Sequence, residues 1–263
     1  MFTAIRGRTV YYESRGEGPP IVFVHGLGGS SAVWYTQAQE LSSNFRTIVF
    51  DWFGSGHSAK PHAEYSVEQW GEQTKNLCEE LGVSRIGLVG HSLGAAVAVR
   101  VAACHPNLVR SLALLAPVTA LEEPGIATIR ERIRRVRSNG MTDVAEAVAA
   151  GALAPRTRET NPVIYALYRA MLLANDPECY ALHCEALLRT NVETLIPQVG
   201  CPVLLLAGDS DRTAPPEEVN KLAGKFGSAR VVEIPNGGHA MQLDRPGTVG
   251  RALAEFFTET LAS

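Results

Sequence analysis

Short, nearly unbroken runs of apolar residues alternate along this chain with longer stretches of helical periodicity, and that alternation restricts the fold more than any other feature. The runs fall at 21–24, 45–50, 86–89, 111–115, 203–207 and 230–234. A strand that is apolar at nearly every position has no face to give to water. It belongs in a sheet covered on both sides, and crossover helices supply that cover in parallel sheets. Helices are predicted over 66–81, where Ser66 stands at a cap position and Gly82 follows, and over 92–103, 217–226 and 248–261. Residues 10–12 and the opening residues are expected to add an antiparallel edge. The predicted class is α/β, a mostly parallel twisted sheet flanked by helices.

One stretch breaks the rhythm. Residues 121–196 hold helical periodicity and no convincing strand, with Ile126, Ile129, Ile133 and Val136 marking an apolar stripe at helical spacing. A helical insert after the sixth strand is expected to cap the carboxyl ends of the strands, where such sheets bind ligands. The expected organisation is a single domain over 1–263, with a core of 1–120 and 197–263 and a helical cap of about 121–196. A chain of 263 residues can bury roughly 70–75% of the surface it exposes unfolded, so its core needs no metal or disulfide staple.

A formal net charge of −3 gives no electrostatic reason to expect nucleic acid or an anionic membrane as partner. Arg6 and Arg8 near the start have no apolar run behind them, as a secretory signal would. Residues 86–104 are apolar but interrupted by His91, Arg100 and three glycines, short of a membrane span. The five cysteines are sparse and form no CxxC pair, and Cys179 and Cys184 lack a second ligand pair at metal-site spacing. They read as small buried thiols in a reducing compartment. The expectation is a cytoplasmic protein, monomer or homodimer, with no nucleic-acid or membrane partner.

The chemistry concentrates in Gly90-His91-Ser92-Leu93-Gly94, which fits G-x-S-x-G with a predicted strand before it and a helix after it. A nucleophile on a sharp strand-to-helix turn leaves no room for side chains two positions to either side, hence the glycines. Ser92 would stand clear of the sheet at a helix N-terminus, where the Leu93 amide and the helix dipole favour developing negative charge. A serine hydroxyl needs a base, and the base an orienting acid. Gly208-Asp209-Ser210-Asp211 and Gly237-Gly238-His239 each follow an apolar strand, in the order serine, aspartate, histidine. His239 is the expected base and Asp211, favoured over Asp209, the expected acid. The glycine turn His25-Gly26-Leu27-Gly28-Gly29 points to the Leu27 amide as a second oxyanion donor.

The other histidines read differently. His25 is expected to buttress its turn and His57 to act as a structural hydrogen-bonder. His62, His105 and His183 stand in no motif. Substrate contacts are expected from His91, Gly26 and Trp34. Arg130, Arg132, Arg134, Arg135 and Arg137 crowd one predicted helix, and Arg130, Arg134 and Arg137 share a face opposite the isoleucine stripe. That face is read as solvated, and no carboxylate-binding role is assigned to it.

Together these motifs resemble the α/β-hydrolase superfamily along nearly the whole chain. The His25-Gly26 turn, the Asp51-Trp52-Phe53-Gly54-Ser55-Gly56-His57-Ser58 turn, Gly90 to Gly94, Gly208 to Asp211 and Gly237 to His239 fall in family order. Within it the chain looks most like the 3-oxoadipate enol-lactonase group and related serine esterases and lactonases. Tyr65-Ser66-Val67-Glu68, Ala186-Leu187-Leu188-Arg189-Thr190-Asn191 and Cys201-Pro202-Val203-Leu204-Leu205-Leu206-Ala207-Gly208 carry that likeness. It departs at Trp52-Phe53-Gly54, where members often have Asp-x-Arg-Gly or Asp-x-Pro-Gly. His25-Gly26-Leu27-Gly28 stands where many enol-lactonases read Asn-Ser-Leu-Gly, and the cap has no tryptophan. Haloalkane dehalogenases and epoxide hydrolases of this fold place aspartate where this chain has Ser92, and perhydrolase-type members carry proline where it has Gly28.

The resemblance implies two-step acyl transfer on a small ester or lactone, with Ser92 as nucleophile and no metal or organic cofactor. A carbon–carbon bond hydrolase of the same fold, and a ligand receptor keeping a hydrolase-like site, remain as alternatives. Product analysis separates the first, and rapid multiple turnover argues against the second.

Overall fold

Strands whose residues are apolar on both faces belong in the middle of a sheet, and five of the six runs lie there; the run at 230–234, interrupted by Arg230 and Glu233, forms a largely unburied edge instead. In the computed structural model, which describes residues 1–261, the strands are β1 (Phe2–Ile5), β2 (Arg8–Arg15), β3 (Pro20–Val24), β4 (Arg46–Phe50), β5 (Ile86–His91), β6 (Val109–Leu115), β7 (Val203–Gly208) and β8 (Ala229–Ile234). They form one sheet in the order β1-β2-β4-β3-β5-β6-β7-β8. β2 is antiparallel to β1 and β4, giving the expected edge, and the remaining pairings are parallel. β5 and β7 are buried at every position. From β3 the chain steps outward to β4 and then returns to place β5 on the other side of β3. The loops leaving β3 and β5 therefore diverge and open a crevice at the carboxyl ends of these two strands.

The helices are α1 (Tyr35–Leu41), α2 (Val67–Glu80), α3 (Leu93–Cys104), α4 (Glu123–Asn139), α5 (Ala145–Ala152), α6 (Pro155–Thr160), α7 (Pro162–Leu173), α8 (Pro177–Arg189), α9 (Pro216–Ala223), α10 (Met241–Asp244) and α11 (Pro246–Leu261). α2 packs with α3, and α1 with α11, to cover the sheet. The Ser66 hydroxyl caps α2 by accepting from the Gln69 amide at 3.3 Å. α3 is buried from Leu93 to Val99, small residues that let it sit close beneath β5 and β6. α1 was not foreseen, because its sequence YTQAQEL is polar. Its Gln37 is nonetheless fully buried, with its side-chain amide donating to the carbonyls of Gln242 and Pro246.

Between β6 and β7 the chain is helical from α4 to α8. The two ends of this insert meet at an isolated antiparallel bridge between Ala120 and Asn191, reinforced by the Val192 amide donating to the Thr119 carbonyl at 3.0 Å. Residues 193–198, of which 193–196 fall within the expected insert, form a 3-10 helix against α3. The isoleucine stripe turns inward: Ile129 and Val136 are buried, and α4 lies along α8. α5, α6 and α7 pack together around Ala149, Leu153, Tyr168 and Leu172. All five cysteines are free. Among the described residues, no helix is long and apolar enough to cross a membrane.

Candidate active site

Ser92 stands between the end of β5 and the first residue of α3, with φ 54° and ψ −121°. A side-chain-bearing residue at positive φ is strained by about 1–3 kcal/mol and persists only where its surroundings impose it. The neighbouring glycines show the imposition. A Cβ at Gly90 would lie 2.4 Å from the Gly94 carbonyl oxygen, and one at Gly94 would lie 2.4 Å from that of His25. Backbone from three segments thus closes on the turn, and only Ser92 is left partly exposed at its apex.

The loops after β7 and β8 converge on that apex. The Ser92 hydroxyl Oγ lies 2.9 Å from His239 Nε2, and His239 Nδ1 lies 2.9 Å from Asp211 Oδ2. Asp211 is 4% exposed, and its Oδ1 accepts from the amides of Thr213 and Ala214 at 2.7 and 3.1 Å. Burial alone would raise its pKa, but the His239 ring and those two amides outweigh burial and hold the carboxyl below its ordinary value. Asp209 is exposed and turned away, accepting from the Asn236 amide at 2.8 Å. The aspartate preferred from the sequence is the one the fold brings to His239.

His91 is also brought to this cluster, but from below. Its Nε2 lies 2.8 Å from the carbonyl oxygen of His239, and its ring centroid is 5.1 Å from that of His239. Burial, then the neighbouring His239 ring, pushes its pKa down to about 3. A neutral His91 therefore donates to the backbone of His239 and fixes the loop, rather than lining a pocket. Trp34, the other aromatic expected at the substrate, has no exposed surface. It ends a short 3-10 helix and lies between Phe23 and His91, at 5.3 and 6.3 Å between ring centroids, so it supports the site from within the core.

Gly26 packs directly against the apex, where a Cβ would lie 2.9 Å from His91 Nδ1 and 3.1 Å from Ser92 Cβ. His25 buttresses the turn: Nδ1 donates to the Gly26 carbonyl at 2.9 Å, and Nε2 accepts from the Trp52 amide at 3.4 Å. Burial holds this imidazole below its ordinary pKa. The Leu27 amide has no acceptor among the described residues, and the Leu93 amide opens α3 ahead of the residues that intrahelical bonds satisfy. Asn175, after α7, donates to the Gly28 carbonyl at 2.9 Å. The insert therefore holds the turn from above.

Two carboxylates tie loops of the site together in ways the sequence does not show, although Asp51 opens a turn already quoted above. Asp51 is fully buried and accepts from the amides of Ser31 and His57, at 2.6 and 2.8 Å, binding the segment after the glycine turn to the turn after β4. Here His57 contributes its backbone, while its exposed ring lies against Tyr11. Asp244 accepts from the Gly238 amide at 2.7 Å and, with both oxygens, from the Ala154 amide at 3.1–3.2 Å. It couples the His239 loop to the insert. His183 is buried among Tyr65, Trp52 and Trp70, and its Nε2 donates to the Phe53 carbonyl.

One trio, His62, Asp176 and Cys179, brings three potential ligand atoms within 4.8 Å of one another. Asp176 there caps α8, accepting from the Cys179 amide at 2.8 Å, and also meets His62 Nε2 at 3.1 Å. Burial raises the Cys179 thiol to about 11. This is the bonding of a helix cap.

The fold is shared with known proteins. The family model described as alpha/beta hydrolase fold matches residues 19–246. The RutD protein of Stutzerimonas stutzeri (strain A1501), named as a carbamate hydrolase, is 28% identical over 260 residues, covering 95% of this chain and 97% of its own. An enol-lactonase from Burkholderia xenovorans LB400 superposes with a TM-score of 0.93 at 28% identity, covering 98% of this chain and 100% of its own. A thermophilic esterase from Thermogutta terrifontis, solved with malate bound, gives 0.92 at 28% identity, covering 98% and 97%. By the extent of the family match and the sheet and turns it spans, this chain belongs to the alpha/beta hydrolase fold family.

Proposed function

We propose that this chain is a serine hydrolase that cleaves a small carboxylic ester or lactone through an acyl-enzyme on Ser92. The observation that carries the reading is the unbroken relay from Ser92 Oγ through both ring nitrogens of His239 to Asp211, each step 2.9 Å, ending on a partly exposed serine. In this mechanism His239 Nε2 takes the serine proton as Oγ attacks the carbonyl carbon. Asp211 keeps the Nδ1–H tautomer and stabilises the imidazolium without taking the proton. The oxyanion rests on the amides of Leu27 and Leu93, each donor worth roughly 3–4 kcal/mol in the transition state. Collapse expels the alcohol or enol, which takes the proton back from His239; in a lactone it stays tethered to the acyl group. His239 then deprotonates a water that attacks the acyl-enzyme and releases the acid. No step calls for a metal or an organic cofactor. The relatives, named for ester, enol-lactone and carbamate hydrolysis, all suggest attack at a carbonyl carbon.

The test is hydrolysis of short 4-nitrophenyl esters and a lactone panel by wild type and Ser92→Ala. Turnover by wild type with a loss in the variant on the order of 10⁵–10⁶ in kcat supports the reading. Equal rates in the two proteins would remove Ser92 as nucleophile, and the proposal with it.

A further inference from the structure

The Leu27 and Leu93 amides are fixed by different means. Leu93 opens α3, and the helix behind it sets the direction of its N–H. Leu27 lies in a four-residue turn from Gly26 to Gly29, closed by the Gly29 amide donating to the Gly26 carbonyl at 3.1 Å. Gly28 takes φ 71°, the sign that a type II turn needs at its third residue. Closing the turn does not use the Leu27 amide, which is left for a ligand.

What aims that amide is the peptide group it belongs to. A trans peptide is planar, with its N–H opposed to its C=O. The Leu27 N–H therefore points away from wherever the Gly26 carbonyl is held, and the Gly29 N–H away from the Gly28 carbonyl. Asn175 Nδ2 donates to the Gly28 carbonyl at 2.9 Å. One line of bonds thus runs from the Asn175 side chain to the Gly28 carbonyl and through that peptide to the Gly29 N–H. From there it passes to the Gly26 carbonyl and through a second peptide to the Leu27 N–H. Bonds in such a chain polarise one another, so a donor at one end strengthens the donor at the other.

Asn175 is itself firmly placed. Its Nδ2 also donates to the Met171 and Leu172 carbonyls in the last turn of α7, both at 3.1 Å. Beside it, Asp176 caps α8 and meets His62 on the loop after β4. Tyr180 of α8 and Leu172 of α7 lie on Gly28, where a Cβ would come within 2.8 and 3.0 Å of them. Arg132 of α4 hydrogen-bonds the Tyr180 hydroxyl and braces that ring. These holds on Gly28 all come from the insert. We propose that Asn175 is a positioning residue for the oxyanion: through two peptide groups it aims and polarises the Leu27 amide, so this donor works fully only while the insert is seated on the turn. This rests on the hydrolase reading above and gives the insert a part in the chemistry. His25 Nδ1 also donates to the Gly26 carbonyl, so losing Asn175 weakens the donor without abolishing it.

Asn175→Leu fills the same space without a donor. Stopped-flow release of 4-nitrophenolate from 4-nitrophenyl acetate reads the acylation rate and the half-saturating ester concentration separately. The variant is expected to acylate roughly 10- to 30-fold more slowly, short of the roughly 10²–10³ that deleting a whole donor costs, with half-saturation changed less than about twofold. Asn175→Gln, whose longer amide can use the cavity of about 270 Å³ that Asn175 lines, should recover part of the rate. A trifluoromethyl alkyl ketone, whose carbonyl carbon bonds to Ser92 Oγ and whose oxygen takes the charge, should lose affinity by the same factor as acylation. An acylation rate within about twofold of wild type overturns the proposal. So does a loss carried mainly by half-saturation, or an unchanged affinity for the ketone. If Asn175→Leu does not fold, Asn175→Ala takes its place under the same criteria. An inactive Ser92→Ala beside an unimpaired Asn175→Leu overturns the role of Asn175 alone. Ser92→Ala as fast as wild type overturns the acyl-enzyme, and this role with it.

Discussion

His91 shows how much of a site is held in place by bonds to its backbone. Its Nε2–H holds the carbonyl of His239, and its ring fills the space between Trp34 and the His239 ring. His91→Phe keeps a ring there and removes the donor. The expected result is a loss of about 1–3 kcal/mol, the cost of one unpaired buried carbonyl, seen in urea unfolding. kcat should fall roughly tenfold with little change in KM, since orientation of the base is what weakens. The residue types of the candidate site are legible in the sequence because each lies on a loop that follows an apolar run: Ser92 after β5, Asp211 after β7, His239 after β8. What a letter does not carry is direction. Nothing in the string says that Trp34 turns into the core or that His91 points its nitrogen at a backbone oxygen, because both depend on contacts made across the sheet.

At the scale of elements, periodicity identifies strands and long helices well and fails where polar residues are buried. α1 is the clearest case, its Gln37 serving as a bond between helices that a polar letter conceals. The insert is legible as helix, yet its attachments are not. Beyond the packing of α4 and α8 into the main core, it is tied down by single contacts such as Asn175 to the Gly28 carbonyl, Arg189 to the Tyr65 carbonyl, and Asp244 to the Ala154 and Gly238 amides. Asp244 lies within both connections, since the Ala240 amide beside it also donates to the Ala152 carbonyl. Asp244→Ala leaves two amides without their acceptor, and about 2 kcal/mol of stability should be lost by urea unfolding. kcat/KM should fall with it, because the His239 loop loses its tie to the insert. Asp244→Asn, which retains one oxygen acceptor, should lose less on both measurements.

For the molecule as a whole, its histidines set the response to acid. His25, His91 and His183 are all buried with lowered pKa values, and burial is the chief cause in each; His91 and His183 fall to about 3. An unfolded histidine titrates near 6.5, so between that value and 3 the unfolded chain holds at His91 and His183 protons that the folded one refuses. The contribution of these two is therefore present above about pH 6.5 and lost as pH falls, at about 1.4 kcal/mol per pH unit for each. His183→Gln should flatten the dependence of unfolding free energy on pH between 6 and 4 by about that slope, read from urea midpoints at several pH values. An unchanged slope would mean that His183 titrates normally in the fold. The overall architecture is legible to the level of class and edge, and strand order is not. Apolar runs say which segments are central, whereas the return of β5 to the far side of β3 is decided by packing among helices distant in sequence.

The three tryptophans, Trp34, Trp52 and Trp70, are all fully buried, and all lie outside the α4–α8 stretch. Trp52 and Trp70 are stacked at 4.4 Å with an interplanar angle of 16°. Indole emission thus reports on the strand layer and its immediate neighbours, and on the helices between β6 and β7 only where α8 lays His183 against Trp52 and Trp70. Those helices still contribute to far-ultraviolet ellipticity. Melting followed by both signals at once separates the two parts optically, with no label added. Coincident curves mean that the insert and the sheet come apart as one body, whereas ellipticity leading emission means that α5 to α7, the helices packed away from the indoles, let go first.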